Sequence, residues 1–130
     1  MNKIGEKARV LIVEDEVIAA MALTDIIGDW GYSPCEPAVS GVEAVFKAGS
    51  ETPDLILMDV GLNSEIDGIE AARRIYTRFN IPIIFTSGYD EEKITDKLGL
   101  AGPFDYVAKP LNLDELRAKM EKLLGKWRNW

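Results

Sequence analysis

The most constraining feature of this sequence is a set of short apolar runs that alternate with segments of helical periodicity. The runs VLIV, LILM and PIIF begin at residues 10, 55 and 82, and each has the length of one strand. Strands that are apolar on both faces are typical of a parallel sheet covered by helices on both sides. Between the runs, apolar residues recur at steps of three and four, which is the helical spacing. The pattern predicts an α/β fold.

Five strands and five helices are predicted in strict alternation. The strands are predicted over 8–13, 32–39, 54–60, 81–87 and 104–108, and the helices over 15–30, 40–48, 67–78, 90–98 and 112–126. The first helix is predicted to bury Ala19, Ala22, Leu23, Ile26 and Trp30. The third is predicted to bury Ile69, Ala72 and Ile75, and the last Leu113, Leu116, Met120, Leu123 and Trp127.

The order of the strands follows from which of them tolerate a sheet edge. The second strand carries Pro34 and Pro37, which cannot donate to a ladder and are confined to edges or bulges. The fifth strand is short and alternating, so it suits the other edge. With right-handed crossovers, these edges predict a flavodoxin-like, doubly wound, five-stranded parallel sheet of order 2-1-3-4-5, with helices on both faces. One domain is predicted over 8–126, with 1–7 and 127–130 as terminal extensions.

Composition excludes several classes of function. The chain contains no histidine, which removes histidine acid–base catalysis and most zinc sites. Its net charge of −7 argues against direct binding to nucleic acid. No apolar run approaches the roughly 20 residues of a membrane span, and no secretory signal is visible. Cys35 is the only cysteine, so an internal disulfide is impossible and a cytoplasmic location is expected.

Three acids are predicted to meet at one edge of the sheet. Glu14 and Asp15 follow the first strand, and Asp59 ends the third. The strand order reverses between these two strands, which is where such sheets bind ligands. Because crowded carboxylates repel one another, a bound cation would stabilise them, and an all-oxygen site suits Mg²⁺. The backbone carbonyl of Gly61 could supply a further oxygen.

The neighbouring strand ends supply complementary groups. Thr86 and Ser87 end the fourth strand and offer hydroxyl groups. Lys109 follows the fifth strand, and Pro110 after it is a candidate for a cis peptide bond in a tight turn. A carboxylate nucleophile, magnesium, a lysine and a hydroxyl donor together predict a phosphoryl-transfer site.

The chain resembles the receiver domain of two-component response regulators over nearly its whole length, from about Arg9 to Leu124. The motifs VLIVEDE, LILMDV, IEAARRI, IIFTSGY and DYVAKPLNLDEL carry the resemblance, in this order. The Gly-Tyr pair after the strand-four hydroxyl is found in a subset of the family. The loop after Asp59 departs from many receivers, because it lacks a proline and is one residue longer.

The resemblance implies roles for the three acids at the strand ends, called here the acid cluster (Glu14, Asp15 and Asp59), and for Lys109. Asp59 would accept a phosphoryl group from a histidine of a partner kinase or phosphotransfer protein. Glu14 and Asp15 would hold Mg²⁺ together with Asp59 and Gly61, with Glu14 acting mainly through water. Lys109 would contact the phosphoryl group. The chain would be a signalling domain rather than an enzyme, catalysing only its own phosphorylation and dephosphorylation.

The resemblance also implies how the signal would leave the domain. Thr86 and Tyr106 would form a switch pair, in which the hydroxyl moves toward the phosphoryl group and the aromatic ring turns inward. The face built from the fourth helix, strand five and the last helix would contact a downstream protein. The resemblance leaves a homodimer open.

The same residues also allow other interpretations. Asp15 alone could cap the first helix, and Lys109 alone could be a solvated surface residue. A flavodoxin-like electron carrier would need a phosphate loop where Glu14, Asp15 and Glu16 stand, and an aspartate-dependent phosphohydrolase usually has an acid at the position of Gly61.

A phosphorylation-silent receiver used as a scaffold is the closest rival function. Such a scaffold should have lost Asp59, Asp15 or Lys109, and all three are present. A stand-alone regulator and a receiver excised from a hybrid sensor kinase both fit the sequence.

Overall fold

A computed structural model describes residues 7–88 and 104–128 of the chain, with side chains through residue 125. The strands are β1 (Arg9–Val13), β2 (Ser33–Pro34), β3 (Leu55–Asp59), β4 (Ile83–Ser87) and β5 (Phe104–Ala108). The helices within the described residues are α1 (Val17–Asp29), α2 (Gly41–Glu51), α3 (Gly68–Phe79) and α4 (Leu113–Arg128). The helix predicted over 90–98 lies outside the described residues.

All five strands run parallel in the order β2-β1-β3-β4-β5, which confirms the predicted sheet. The prediction of a long second strand is wrong, because β2 has only two residues. Cys35 still donates to the Val10 carbonyl, but Pro37 lacks the amide hydrogen that the next ladder bond needs, so pairing stops early. A single bridge between Val13 and Ala38 continues the contact beyond Pro37.

Alternate side chains of the central strands divide the core into two clusters. Leu11, Val13, Ile56 and Met58 point to the side of α2 and α3. Val10, Ile12, Leu55 and Leu57 point to the side of α1 and α4. These strand residues are all nearly inaccessible to solvent, as their continuous apolar runs predicted. The sheet is therefore covered by helices on both faces.

The buried face of α1 matches the predicted one only in part. Leu23 and Trp30 are partly buried and pack against the core, as predicted. Ala19 and Ala22 are exposed, whereas Ala20 and Ile27 are buried. The first turns of this helix are apolar around nearly their whole circumference, so the spacing of apolar residues alone does not fix which side faces the sheet. No helix within 7–88 and 104–128 is both long enough and apolar enough to cross a membrane.

The other helices follow their predictions more closely. Ile69, Ala72 and Ile75 of α3 are buried, as expected. The predicted stripe of α4 holds for Leu116, Met120 and Leu123, but Leu113 in the first turn is 40% exposed, and the Trp127 side chain lies outside the described residues. α2 runs past its predicted end to Glu51 and stops at Thr52, whose φ of 47° is left-handed.

Candidate functional site

The predicted site residues meet at the edge where the strands end. Asp59 is the last residue of β3 and pairs in register with Thr86 of β4. Glu14 follows β1, and Lys109 follows β5. The two acids, Asp59 and Glu14, are each less than a tenth exposed, which is unusual for carboxylates. Thr86 is buried to the same degree. The parallel sheet thus brings together four side chains that are far apart in the sequence.

Lys109 holds two of the acids together. Its Nζ lies 3.2 Å from Glu14 Oε1 and 3.4 Å from Asp59 Oδ1. Partial burial lowers the pKa of Lys109, but the charges of Asp59 and Glu14 outweigh burial and leave the pKa above its ordinary value. Its backbone N–H donates to the Ser87 carbonyl at 2.8 Å, and the peptide bond to Pro110 is cis. The backbone of Lys109 is therefore anchored, and its ammonium is charged beside Asp59.

The two acids after β1 have different surroundings. Burial is the main cause that raises the pKa of Glu14, and the nearby Asp59 charge adds to it. The Asn63 backbone N–H donates to Asp15 Oδ2 at 3.0 Å and is the main cause that lowers the pKa of Asp15. The residue at the cap of α1 is Glu16, which makes no side-chain cap bond. Asp15 therefore does not cap the helix; it holds the loop after β3.

The acid cluster has the composition of a hard-cation site. Glu14, Asp15 and Asp59 each offer a carboxylate oxygen within 4.8 Å of the others. Lys109 offsets only part of their charge, so the cluster keeps two net negative charges when all its groups are ionised. Oxygen donors and net negative charge suit Mg²⁺. Gly61 lies beside the cluster, and its N–H donates to Asp59 Oδ1 at 3.0 Å.

The two residues predicted to switch lie on adjacent strands. Thr86 faces Asp59 across the β3–β4 ladder, and its carbonyl accepts from the Val60 N–H at 3.0 Å. Tyr106 on β5 is half-buried and packs against the hydrophobic core on the α2–α3 side of the sheet. Its hydroxyl lies 3.4 Å from the Ser87 carbonyl oxygen. The structure thus brings Thr86 next to Asp59, with Tyr106 one strand further away.

Two contributors to the site were not expected from the sequence. Asn63 acts through its backbone, which spacing cannot reveal. Gly68 begins α3 directly behind Asp59, and a Cβ at this position would lie 2.1 Å from the Asp59 carbonyl oxygen. The available signal was a glycine in the first turn of a well-capped helix, where its propensity is poor. Asp67 supplies that cap by accepting from the Glu70 N–H at 2.8 Å.

Known proteins of similar sequence and structure point to one family. Residues 10–121 match the model of the response regulator receiver domain. The transcriptional regulatory protein PdtaR of Mycobacterium tuberculosis is 32% identical over 120 residues, covering 92% of this chain and 58% of that protein. The transcriptional regulatory protein KdpE of Staphylococcus aureus is 35% identical over 114 residues, covering 88% and 48%. The chain therefore spans about half the length of these relatives.

Solved structures lead to the same family. The signal receiver domain of a modulated diguanylate cyclase from Desulfovibrio desulfuricans superimposes with a TM-score of 0.80. It is 35% identical in sequence, and the match covers 93% of this chain and 96% of that one.

Proposed function

The chain belongs to the response regulator receiver domain family of two-component systems, and we propose that Asp59 is its phosphoryl acceptor. The observation that carries the proposal is the position of the Asp59 carboxylate. It lies at the carboxyl end of a central strand, 3.4 Å from Lys109 Nζ and within a cluster of acids suited to a cation. An acid without a chemical role would more readily lie in solvent than in this crowded position.

The proposed step is attack by an Asp59 oxygen on the phosphorus of a phosphohistidine in the donor protein. A P–O bond forms, the P–N bond breaks, and the imidazole leaves with the electron pair and takes up a proton. Lys109 stands where it can stabilise charge that develops on the phosphoryl oxygens. Thr86 is proposed to hydrogen-bond the product, and Tyr106 to move with it. The chemistry of the domain is proposed to be limited to its own phosphorylation and dephosphorylation.

Magnesium fits this arrangement, and its proposed ligands are Asp15, Asp59 and the carbonyl of Gly61. Glu14 is proposed to act through water, because both of its carboxylate oxygens already accept hydrogen bonds, Oε1 from Lys109 and Oε2 from the Glu16 backbone N–H. When bound, the ion would neutralise charge on the transferring phosphoryl group.

The magnesium proposal predicts a stability change on titration. Mg²⁺ should raise the melting temperature of the wild type, because it binds the folded acid cluster and not the unfolded chain. Asp15→Asn should weaken this response at least tenfold in Mg²⁺ concentration. Asp25→Asn removes an exposed acid elsewhere on α1 and should respond like wild type. Equal responses from all three proteins would contradict the proposed ligands.

The acceptor proposal predicts one modified residue. With acetyl phosphate and Mg²⁺, mass spectrometry should show a single added phosphoryl group on the wild type and none on Asp59→Asn. Asp67→Asn is a matched control in the following loop, because asparagine can still cap α3. An adduct that persists in Asp59→Asn would move the acceptor elsewhere. An unmodified wild type would favour the silent scaffold.

Receiver domains act between a phosphodonor kinase or phosphotransfer protein and downstream targets. For this chain, we propose that the downstream surface comprises β5, α4 and the helix predicted over 90–98. Within the described part, Lys119 joins α4 to β5 by an ion pair to Asp105, and it also pairs with Glu115 of its own helix. We also propose that the domain extends over 8–126 and that it works in the cytoplasm, where the lone thiol of Cys35 would stay reduced.

A further inference from the structure

We propose that the groove between α2 and α3 is a docking surface for an acidic amphipathic helix of a partner protein. The groove has a volume of about 450 Å³. Val42, Phe46 and Phe79 provide apolar surface, and Arg74 and Arg78 provide the charge. None of these residues belongs to the acid cluster, so the proposal does not rest on the phosphoacceptor role.

The α2 side of the groove is more apolar than the fold requires. This helix already buries Ala44 and Ala48 against the sheet. Val42 and Phe46, one turn apart, point outward instead and are 51% and 72% exposed. A phenylalanine with this exposure adds nothing to the core, and contiguous exposed apolar surface is a mark of interaction sites.

The α3 side of the groove is shaped by a close approach of the two helices. The Phe79 ring lies so near Gly49 that a Cβ there would be 3.0 Å from Phe79 Cζ. A small residue at this position lets the ring rest on α2. The guanidinium carbon of Arg78 lies 5.2 Å from the centre of the same ring. The result is an aromatic wall with a cation above it.

The charge of the groove opposes the charge of the protein. The whole chain carries −7, yet no acidic residue is among those that line the groove in the described structure. Arg74 Nε pairs with Glu70 Oε2 at 3.0 Å, but both side chains are substantially exposed, and such pairs contribute little. Arg74 can therefore turn to a carboxylate of a partner at small cost.

These features favour one kind of occupant. A helix with apolar anchors spaced by about one turn fits an apolar groove, and glutamates on its flank would meet Arg74 and Arg78. A symmetric pairing of two copies through this groove would place the arginines of one against those of the other. Nucleic acid is disfavoured by the net charge of the chain.

The test uses a synthetic helical peptide and the intact chain. The probe is a labelled amphipathic peptide with leucines at i, i+4 and i+7 and glutamates on the flanks, and binding is measured by fluorescence anisotropy. Phe46→Ser and Arg78→Glu should each weaken binding about tenfold or more. Ile18→Ser and Arg117→Glu make the same chemical changes on α1 and α4 and should leave binding unchanged. Thermal melts verify that each variant is folded.

Three results would overturn the proposal. The first is no binding of the peptide up to about 1 mM, the limit of weak specific association. The second is equal binding of a peptide with glutamines in place of its glutamates, which removes the argument from charge. The third is equal loss of affinity in the control variants. Sedimentation velocity is a further check on the oligomeric state. If the wild type is a dimer, if Phe46→Ser is a monomer, and if the peptide does not dissociate the dimer, then the groove is a contact between copies instead.

Discussion

Lys109→Met is expected to slow phosphorylation of Asp59 by acetyl phosphate about 10²–10³-fold, the cost of removing one preorganised charge from a developing oxyanion. Lys109 Nζ lies 3.4 Å from Asp59 Oδ1 and 3.2 Å from Glu14 Oε1, so the two carboxylates hold the ammonium beside the proposed acceptor. Methionine keeps most of the length of the side chain and removes the charge together with the N–H donors of the ammonium. The rate of phosphoryl incorporation, measured by quenched-flow sampling and mass spectrometry, gives the result.

The magnesium response separates the loss of chemistry from damage to the site. Removing the cation from the acid cluster should leave Mg²⁺ affinity equal or higher, because the three carboxylates lose their competing positive charge. Lys119→Met is the matched control, since this lysine also lies between two acids, Asp105 and Glu115. Phosphorylation of Lys109→Met within twofold of wild type would contradict the role given to the lysine.

The order of the strands could be predicted because the residue composition of each strand indicates whether it is central or at an edge of the sheet. Apolar runs such as LILM can only be central, and Pro34 can only be peripheral. Once the order is known, the ends of β1 and β3 must be neighbours. This is why the clustering of Glu14, Asp15 and Asp59 could be expected from the sequence alone.

The face of α1 could be predicted only in part, for a related reason. Val17, Ile18 and Met21 are all strongly exposed, although each is as apolar as a core residue. A helix with apolar residues on most sides presents several equivalent stripes. The choice among them depends on how the chain leaves β1 and on the loop that Asp15 holds, and both are properties of the tertiary structure.

Backbone contacts were equally hidden from the sequence. Asn63 contributes an N–H to Asp15, which any non-proline residue could have done. Gly68 matters because it has no side chain, and this is important only because α3 approaches the end of β3 so closely. Neither contribution leaves a pattern in residue types, so both required the structure.

Gly68→Ala is expected to lower the free energy of unfolding by about 1–3 kcal/mol or more, the usual cost of inserting a group into filled space. The new Cβ would lie 2.1 Å from the Asp59 carbonyl oxygen and 2.9 Å from Val60 Cα, and both neighbours are backbone atoms that cannot rotate away. Elsewhere in a helix the same change is stabilising by about 0.5–1 kcal/mol, because alanine loses less conformational freedom on folding. The sign of the effect therefore reports the close approach itself.

Gly28→Ala in α1 is the matched control, because a Cβ there has no atom within 4 Å beyond its immediate neighbours. Urea denaturation should show a lower midpoint for Gly68→Ala and an equal or higher midpoint for Gly28→Ala. The substitution at Gly68 should also disturb the site, because room for the new Cβ requires α3 and the backbone that carries Asp59 to move apart. Its phosphorylation rate should then fall while that of Gly28→Ala stays at the wild-type value. If Gly68→Ala is as stable as Gly28→Ala, α3 does not press on the strand that carries Asp59, and the space behind Asp59 must accept a methyl group.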